Sequence, residues 1–157
     1  MSREVPYRIL TLLGAAGVIA SPSEPFNPRL AELGPRAGFG WTLVAVAALG
    51  FACTWWARIH LGRLWSGTVT RKAEHHVVDT GPYAIVRHPI YTGILIALLA
   101  TALVRGTATA LVGFVLLTVG FYLKARLEES FLRSELGEDA YGAYARRVPM
   151  LIPFAPA

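Results

Sequence analysis

The chain has 157 residues, of which 54% are apolar and 16% are charged, whereas soluble domains carry about 25% charged residues. One domain of this size could not bury so much apolar surface, so the composition excludes an ordinary water-soluble protein and predicts an integral membrane protein. The formal charge of +5 is then interpreted as a signal of membrane topology, with no nucleic-acid partner expected.

Cysteine usage excludes two further classes of site. Cys53 is the only cysteine, so no internal disulfide can form, and no Cys/His cluster has the spacing of metal ligands. No metal is therefore expected. A cleaved secretory signal is not expected either, because "ASPSEPF" after the first apolar run is a poor cleavage site.

The first two apolar stretches both predict membrane helices, but they differ in whether they are long enough to span a bilayer. "YRILTLLGAAGVIA" (7–20) is shorter than the roughly 20 residues that a bilayer span needs. The second stretch, from Gly38 to Ile59, is long enough, and Trp41, Trp55 and Trp56 lie near its ends as in an interfacial aromatic belt.

The third and fourth stretches predict a helical hairpin. They run from Pro89 to Val104 and from Thr107 to about Leu123, and only "RGT" separates them. The fourth is expected to continue out of the membrane as a helix to about Leu136, with Gly137 as its C-terminal stop. The predicted fold is an all-α, polytopic transmembrane bundle of about four spans with a cytoplasmic C-terminal helical segment.

The distribution of Lys and Arg predicts the orientation. With the N-terminus inside, the outer segments hold Arg29, Arg36 and Arg105. The cytoplasmic segments hold the other twelve: Arg3, Arg8, Arg58, Arg63, Arg71, Lys72, Arg87, Lys124, Arg126, Arg133, Arg146 and Arg147. The positive-inside rule therefore favours both termini in the cytoplasm and an even number of spans. Most ionisable and polar aromatic residues share that face, so a functional site is expected there.

We interpret the chain as one domain, 1–157. Residues 1–37 form the first span and an outer connection, residues 38–59 form the second span, and residues 60–157 form the core with the third and fourth spans.

The segment "GPYAIVRHPIYTG" (81–93) stands at the start of the third span. Pro89 suits the first position of a helix, which puts His88 near the N-cap and Arg87 just before it. Free backbone N–H groups beside an arginine would make an anion site. Gly93 in the first turns would allow close approach of a ligand or of a neighbouring helix. In the alternative reading, Arg87 reaches lipid phosphate, His88 caps the helix, and the tyrosines form an interfacial belt.

The second polar segment is "KARLEESFLRSELGEDAYGAYARRVPMLIPF", which starts at Lys124. Glu128 and Glu129 lie near the membrane boundary, where carboxylates need solvent or a partner. A short helix follows with Tyr141, Tyr144 and Val148 on one face, and Arg147 could share a pocket wall with Tyr144. The alternative is an amphipathic tail lying on the membrane.

The two segments carry complementary charges at similar depth. Arg87 and Arg147 can satisfy Glu128 and Glu129, or all four can bind a zwitterionic ligand, and boundary charges of this kind indicate a functional site.

At these residues the chain resembles the isoprenylcysteine carboxyl methyltransferase family, within the group of small membrane methyltransferases that includes phospholipid methyltransferases. The resemblance lies in "HHVVDTGPYAIVRHPIYTG" and "EESFLRSELGEDAYGAYARRVPMLIPF", with "LGRLWSG" typical of a bacterial member. It covers about the C-terminal 100 residues, and the two motifs in this order are more specific than either alone.

The resemblance implies an enzyme that uses S-adenosylmethionine without a Rossmann domain. A lipophilic acceptor would enter from the bilayer, and the protein would lie in a bacterial inner membrane with its active site on the cytoplasmic side. The residues that the resemblance implies for cofactor binding are His76, Tyr83, His88, Pro89, Tyr91, Gly93, Glu129 and Tyr141. Those that it assigns to catalysis are Arg87, Arg147 and Glu128, with the arginines near the transferred methyl and the acceptor carboxylate.

The chemistry is compatible with this residue set. A carboxylate acceptor is already ionised, so alignment matters more than a general base, and arginine binds a carboxylate through two parallel hydrogen bonds. An amine or phenol acceptor would need His88 or a glutamate to take a proton. The acceptor is expected to be an isoprenylcysteine-like carboxylate or another small hydrophobic molecule.

Two other functions are compatible with the sequence. A sterol-type membrane reductase would bind NADPH, and Arg63, Arg71 and Lys72 could hold its 2′-phosphate. A non-catalytic membrane subunit would bind neither nucleotide.

Overall fold

The computed structural model describes residues 4–20, 38–62 and 77–156. All the regular secondary structure within these ranges is helical, which confirms the all-α class. A 3₁₀ turn covers Gly81–Ala84, and the α-helices in chain order are α1 (Val5–Ile19), α2 (Phe39–Leu61), α3 (Pro89–Arg105), α4 (Ala108–Leu136) and α5 (Glu138–Arg147).

Helices α2 and α4 are long and apolar enough to cross a membrane. α1 has 15 residues and α3 has 17, fewer than the roughly 20 of a full span, so four spans remain a prediction. Trp41 and Trp55 expose about two thirds of their surface near opposite ends of α2. Exposed rings at the ends of an apolar helix are typical of a lipid-facing surface with an aromatic belt.

The predicted hairpin and the predicted helix end are confirmed. Gly106 is left-handed with a φ of 61° and ends α3. The Thr107 side chain then accepts a hydrogen bond from the Ala110 N–H at 3.1 Å and so caps α4. α4 continues without interruption from the apolar region to Leu136, and Gly137 follows with a φ of 85°.

The helices pack in the spatial order α2, α3, α4, α1. Small residues let neighbouring backbones approach closely, as is common between membrane helices. A Cβ added to Gly93 in α3 would lie 2.5 Å from the Gly50 carbonyl oxygen of α2, and one added to Gly113 in α4 would lie 2.7 Å from the Gly14 oxygen of α1.

The C-terminal part of the chain returns to the start of α3. α5 packs on α4, and the predicted face of Tyr141, Tyr144 and Val148 is confirmed, because these residues form a buried cluster with Ala145. The chain after α5 then follows the first residues of α3, so three parts of the sequence meet around Arg87.

Candidate functional site

The predicted approach of the two charged segments is confirmed for Arg87 and Glu129. The Arg87 Nε donates to Glu129 Oε1 at 2.7 Å and Nη2 lies 3.4 Å from Oε2. The two side chains are only 8% and 7% exposed. A buried ion pair is tolerated only when its remaining polar atoms are also satisfied. Arg87 meets this condition, since its Nη1 donates to the carbonyl oxygens of Ala145, at 2.7 Å, and Val148.

His88 occupies the predicted N-cap position of α3, but its side chain makes no capping bond. Its Nε2 lies 3.2 Å from Glu129 Oε1, and the imidazole stacks on the Tyr91 ring with centroids 5.5 Å apart. The alternative reading in which His88 caps the helix is therefore wrong, because its imidazole is turned toward the buried carboxylate of Glu129 and makes no bond to the first N–H groups of α3.

Two backbone N–H groups beside the expected anion site are occupied. The Arg87 N–H donates to the Pro149 carbonyl at 2.8 Å, and the His88 N–H donates to the Met150 carbonyl at 3.1 Å. Since the chain supplies both acceptors, these two N–H groups are not available to an anion, and the anion site at the N-terminus of α3 stays a prediction.

Glu128 has a more open environment than Glu129. Its side chain is 21% exposed. Its Oε1 accepts a hydrogen bond from the Tyr91 hydroxyl at 2.6 Å, and Lys124 Nζ lies 3.8 Å from the same oxygen. The Lys124 ammonium also lies 5.2 Å from the centre of the Tyr91 ring, within the range of a cation–π contact. Glu129 is thus the buried carboxylate and Glu128 the partly exposed one. We call Glu128, Tyr91 and Lys124 the rim of the site.

Three tyrosines join the 3₁₀ turn to α5. The Tyr144 hydroxyl donates to the Tyr83 carbonyl at 2.7 Å, and Tyr141 packs edge-on against Tyr144 with centroids 5.8 Å apart. Burial raises the pKa of Tyr83, Tyr141 and Tyr144 above the usual value of a phenol. All three therefore remain neutral at physiological pH, and they act here as packing and hydrogen-bonding groups.

The other predicted site residues are dispersed. Arg147 is 66% exposed and its Nη2 lies 3.3 Å from Asp79 Oδ2, so it points away from the Arg87–Glu129 pair. Pro89 is buried at the first position of α3. Gly93 faces α2, where a Cβ at this position would collide with Thr54 Oγ1, so its close neighbour is a helix. His76 lies outside the described residues.

Sequence reasoning missed two contributors. The first is the run of carbonyl groups after α5, which carries no side-chain signal. The second is Lys124, which was counted only for topology. Its position four residues before Glu128 would have indicated an ion pair on one helix face. Among residues 4–20, 38–62 and 77–156, no cluster of three or more His, Cys, Asp or Glu side chains could hold a metal ion.

Comparison with known proteins is consistent with this geometry. The isoprenylcysteine carboxyl methyltransferase (ICMT) family matches residues 42–134, which include Arg87, His88 and both glutamates. The chain is 33% identical to the protein-S-isoprenylcysteine O-methyltransferase of Schizosaccharomyces pombe over 75% of this chain and 53% of that protein.

Two further relatives extend the comparison. The protein-S-isoprenylcysteine O-methyltransferase B of Arabidopsis thaliana is 32% identical over 82% of this chain and 65% of that protein. The methanethiol S-methyltransferase of a Pseudomonas species is 44% identical over 45% of this chain and 26% of that protein. The chain thus spans between about a quarter and two thirds of the length of these three relatives. Because the family match covers more than half of its residues, the chain belongs to the isoprenylcysteine carboxyl methyltransferase family.

Proposed function

We propose that this protein is an integral-membrane methyltransferase that moves a methyl group from S-adenosylmethionine to a lipophilic acceptor. The observation that carries the proposal is the family match over residues 42–134. It contains both the start of α3 and the acidic pair of α4, which meet in the structure. The three relatives described above are named for methyl transfer to oxygen or to sulfur, so the transferred group is common to these three while the acceptor differs.

The residues at the rim fit a positively charged cofactor. Glu128 offers a carboxylate that is 21% exposed, and the ring of Tyr91 lies beside it. Carboxylates and aromatic faces both stabilise ammonium and sulfonium groups. Glu129 does not fit this role, because Arg87 and His88 take up its oxygens. We therefore assign the direct contact with the cofactor's ammonium group, which S-adenosylhomocysteine keeps, to Glu128.

If bound beside Glu128, S-adenosylmethionine would supply an electrophilic methyl group on a positively charged sulfur, which the acceptor's lone pair would take, and S-adenosylhomocysteine would be the second product. Tyr91 holds Glu128 in place through its 2.6 Å hydrogen bond, which contributes to alignment. An ionised carboxylate acceptor needs no base. If the acceptor carries a proton, as a thiol, an amine or a phenol does, Glu128 is the rim carboxylate that would accept it.

The proposed acceptor is the carboxylate of an isoprenylcysteine-like or other small hydrophobic molecule that enters from the bilayer. Arg147 has an exposed guanidinium whose ion pair with Asp79 is solvent-accessible, and such pairs are weak. An acceptor carboxylate could therefore compete for Arg147. We further propose that the protein lies in a bacterial inner membrane with both termini and the site in the cytoplasm, as the charge distribution predicts.

The alternative functions are less well supported. The cations that would hold the phosphate of NADPH, namely Arg63, Arg71 and Lys72, lie outside the described residues. In a non-catalytic subunit, the hydrogen bond of Tyr91 to Glu128 and the buried ion pair of Arg87 would serve packing alone. Family membership favours methyl transfer over both.

The test is ligand binding in detergent micelles. Purified protein is titrated with S-adenosylhomocysteine and, separately, with NADPH. Glu128→Gln removes the rim charge while keeping its shape, and we expect the affinity for S-adenosylhomocysteine to fall about tenfold, because a charge-assisted contact is lost. Glu138→Gln is the matched control, since it removes a charge from an exposed residue whose ion-pair partner among the described residues is Arg133.

Each outcome separates the candidate functions. Binding of S-adenosylhomocysteine alone, weakened by Glu128→Gln and unchanged by Glu138→Gln, supports the methyltransferase site. Binding of NADPH alone would support the reductase function instead. A folded, monodisperse sample that binds neither ligand would refute the proposal and leave the subunit reading.

A further inference from the structure

Arg87 uses its guanidinium entirely inside the protein. Nε and Nη2 face the two oxygens of Glu129, and Nη1 donates to the carbonyls of Ala145 and Val148. The side chain is 8% exposed. A guanidinium with these contacts has no free edge for a substrate carboxylate unless the surrounding structure opens.

The carbonyl partners of Arg87 belong to a helix end. Ala145 lies in the last turn of α5, where the final carbonyl groups of a helix have no partner within it. A positive charge at that end also interacts favourably with the helix dipole. Arg87 therefore satisfies the C-terminus of α5 from a different part of the chain.

The four residues after α5 continue the same attachment, and we call residues 148–151 the latch. Their carbonyl oxygens are all used by the start of α3. Val148 accepts from Arg87 Nη1, Pro149 from the Arg87 N–H, Met150 from the His88 N–H at 3.1 Å, and Leu151 from the Thr92 hydroxyl at 2.7 Å.

We infer that Arg87 is a positioning residue that fastens α5 and the latch onto the start of α3 and at the same time orients Glu129. This assignment differs from a role beside the transferred methyl, and only its ligand-binding arm rests on the proposed function. Through Arg87, the segment with the buried tyrosines Tyr141 and Tyr144 is joined to the segment with His88 and Tyr91. Ligand affinity then depends on Arg87 because Arg87 holds these two segments together.

The chemistry of the contact explains why arginine is required. Lysine offers one compact ammonium group, which can pair with Glu129 but cannot also reach two carbonyls on the opposite side. Arg87→Lys should therefore keep the buried charge compensated while loosening the latch. Arg87→Ala should leave Glu129 buried beside His88 alone.

Hydrogen exchange tests the attachment without any ligand. We expect Arg87→Ala and Arg87→Lys to increase exchange at the amides of residues 87 and 88, whose acceptors lie in the latch, and at residues 145–151, by about tenfold or more. Arg146→Ala is the matched control, because it removes an exposed arginine from the same helix. Exchange in these segments that stays unchanged in both Arg87 variants would overturn the inference, whatever the protein binds.

A double-mutant cycle separates positioning from direct contact. A variant that ends at Arg147 removes all four latch carbonyls, including the Val148 carbonyl that accepts from Arg87 Nη1, and keeps Arg87. If Arg87 acts through the latch, Arg87→Ala and the truncation each weaken S-adenosylhomocysteine binding about tenfold, and combining them weakens it no further. If Arg87 touches the ligand independently, the two effects multiply to about a hundredfold, and the positioning role is refuted.

Two controls keep the result interpretable. Each variant must elute as a monodisperse peak in gel filtration, and if Arg87→Ala does not, the cycle is run with Arg87→Lys. If the wild-type protein does not bind S-adenosylhomocysteine, the proposed function fails, while the exchange measurement still decides whether Arg87 holds the latch.

Discussion

Gly93→Ala is the substitution whose effect follows most directly from the packing of α2 against α3. The added Cβ would lie 2.5 Å from the Gly50 carbonyl oxygen and 2.9 Å from the Thr54 nitrogen. Non-bonded heavy atoms prefer about 3.5–4.0 Å, so the two helices would have to separate by about 1 Å. These two are backbone atoms, and neither can move without moving α2, whereas the third close atom, Thr54 Oγ1, belongs to a side chain.

The expected magnitude combines two opposing terms. Overpacking costs about 1–3 kcal/mol, and the upper end applies because backbone is displaced. Alanine in place of glycine within a helix stabilises the folded state by up to about 1 kcal/mol, because of its higher helix propensity. The net loss is about 2 kcal/mol, which corresponds to a fall of about 4–8 °C in the unfolding midpoint for a chain of this size.

The assay is thermal unfolding in detergent, with Gly142→Ala in α5 as the control. There the nearest atom to the added Cβ is Glu138 Oε1 at 3.2 Å, the end of a flexible side chain. Gly142→Ala should therefore be neutral or stabilising by up to about 1 kcal/mol. A Gly93→Ala midpoint equal to or above that of the wild type would refute the reasoning that Gly93 serves helix packing.

Three further predictions concern α5 and its partners. Tyr144→Phe removes the 2.7 Å bond to the buried Tyr83 carbonyl and should cost about 1 kcal/mol in unfolding free energy. The raised phenol pKa values of Tyr83, Tyr141 and Tyr144 predict a stability that is full below about pH 10 and falls at higher pH, where the unfolded chain ionises first. Arg147→Ala breaks only the exposed pair with Asp79, so stability should change by less than about 0.5 kcal/mol, while the KM for an anionic acceptor rises.

Each of these has a direct check. Denaturant unfolding of Tyr144→Phe that matches the wild type would show that the Tyr83 carbonyl finds another donor. Absorbance of ionised tyrosine that appears together with loss of structure supports the pH prediction, and early titration of all six tyrosines in folded protein would contradict it. A large drop in the midpoint of Arg147→Ala would show that the pair with Asp79 stabilises the fold.

The helix boundaries were predictable because they depend on local chemistry. Pro89 fixes the start of α3 and Gly137 the end of α4, and each acts through its own backbone preference. The pairing of Arg87 with Glu129 was also predictable, since two opposite charges at one depth of an apolar bundle have few other partners.

The rest of the site depends on tertiary contacts that leave no sequence pattern. Every residue has the same backbone carbonyl group, so the sequence "VPML" does not predict that residues 148–151 bind the start of α3. Arg147 was expected to share a wall with Tyr144 because it follows Tyr144 by three positions. In the structure Tyr144 turns inward to Tyr83 while Arg147 reaches Asp79 at the surface, because the short helix has only one buried face.

The uninterrupted course of α4 links the site to the bilayer mechanically. Its 29 residues make a rod of about 44 Å, longer than the roughly 30 Å hydrocarbon core, and the same rod carries Glu128 and Glu129. A thinner or thicker membrane would change the tilt of this helix. A change in the tilt of α4 would move Glu128 and Glu129 sideways. The partners of Glu129 near the start of α3 would move by a different amount, because α3 is shorter and would tilt differently. Lipid chain length thereby becomes a variable that acts on the charge cluster itself.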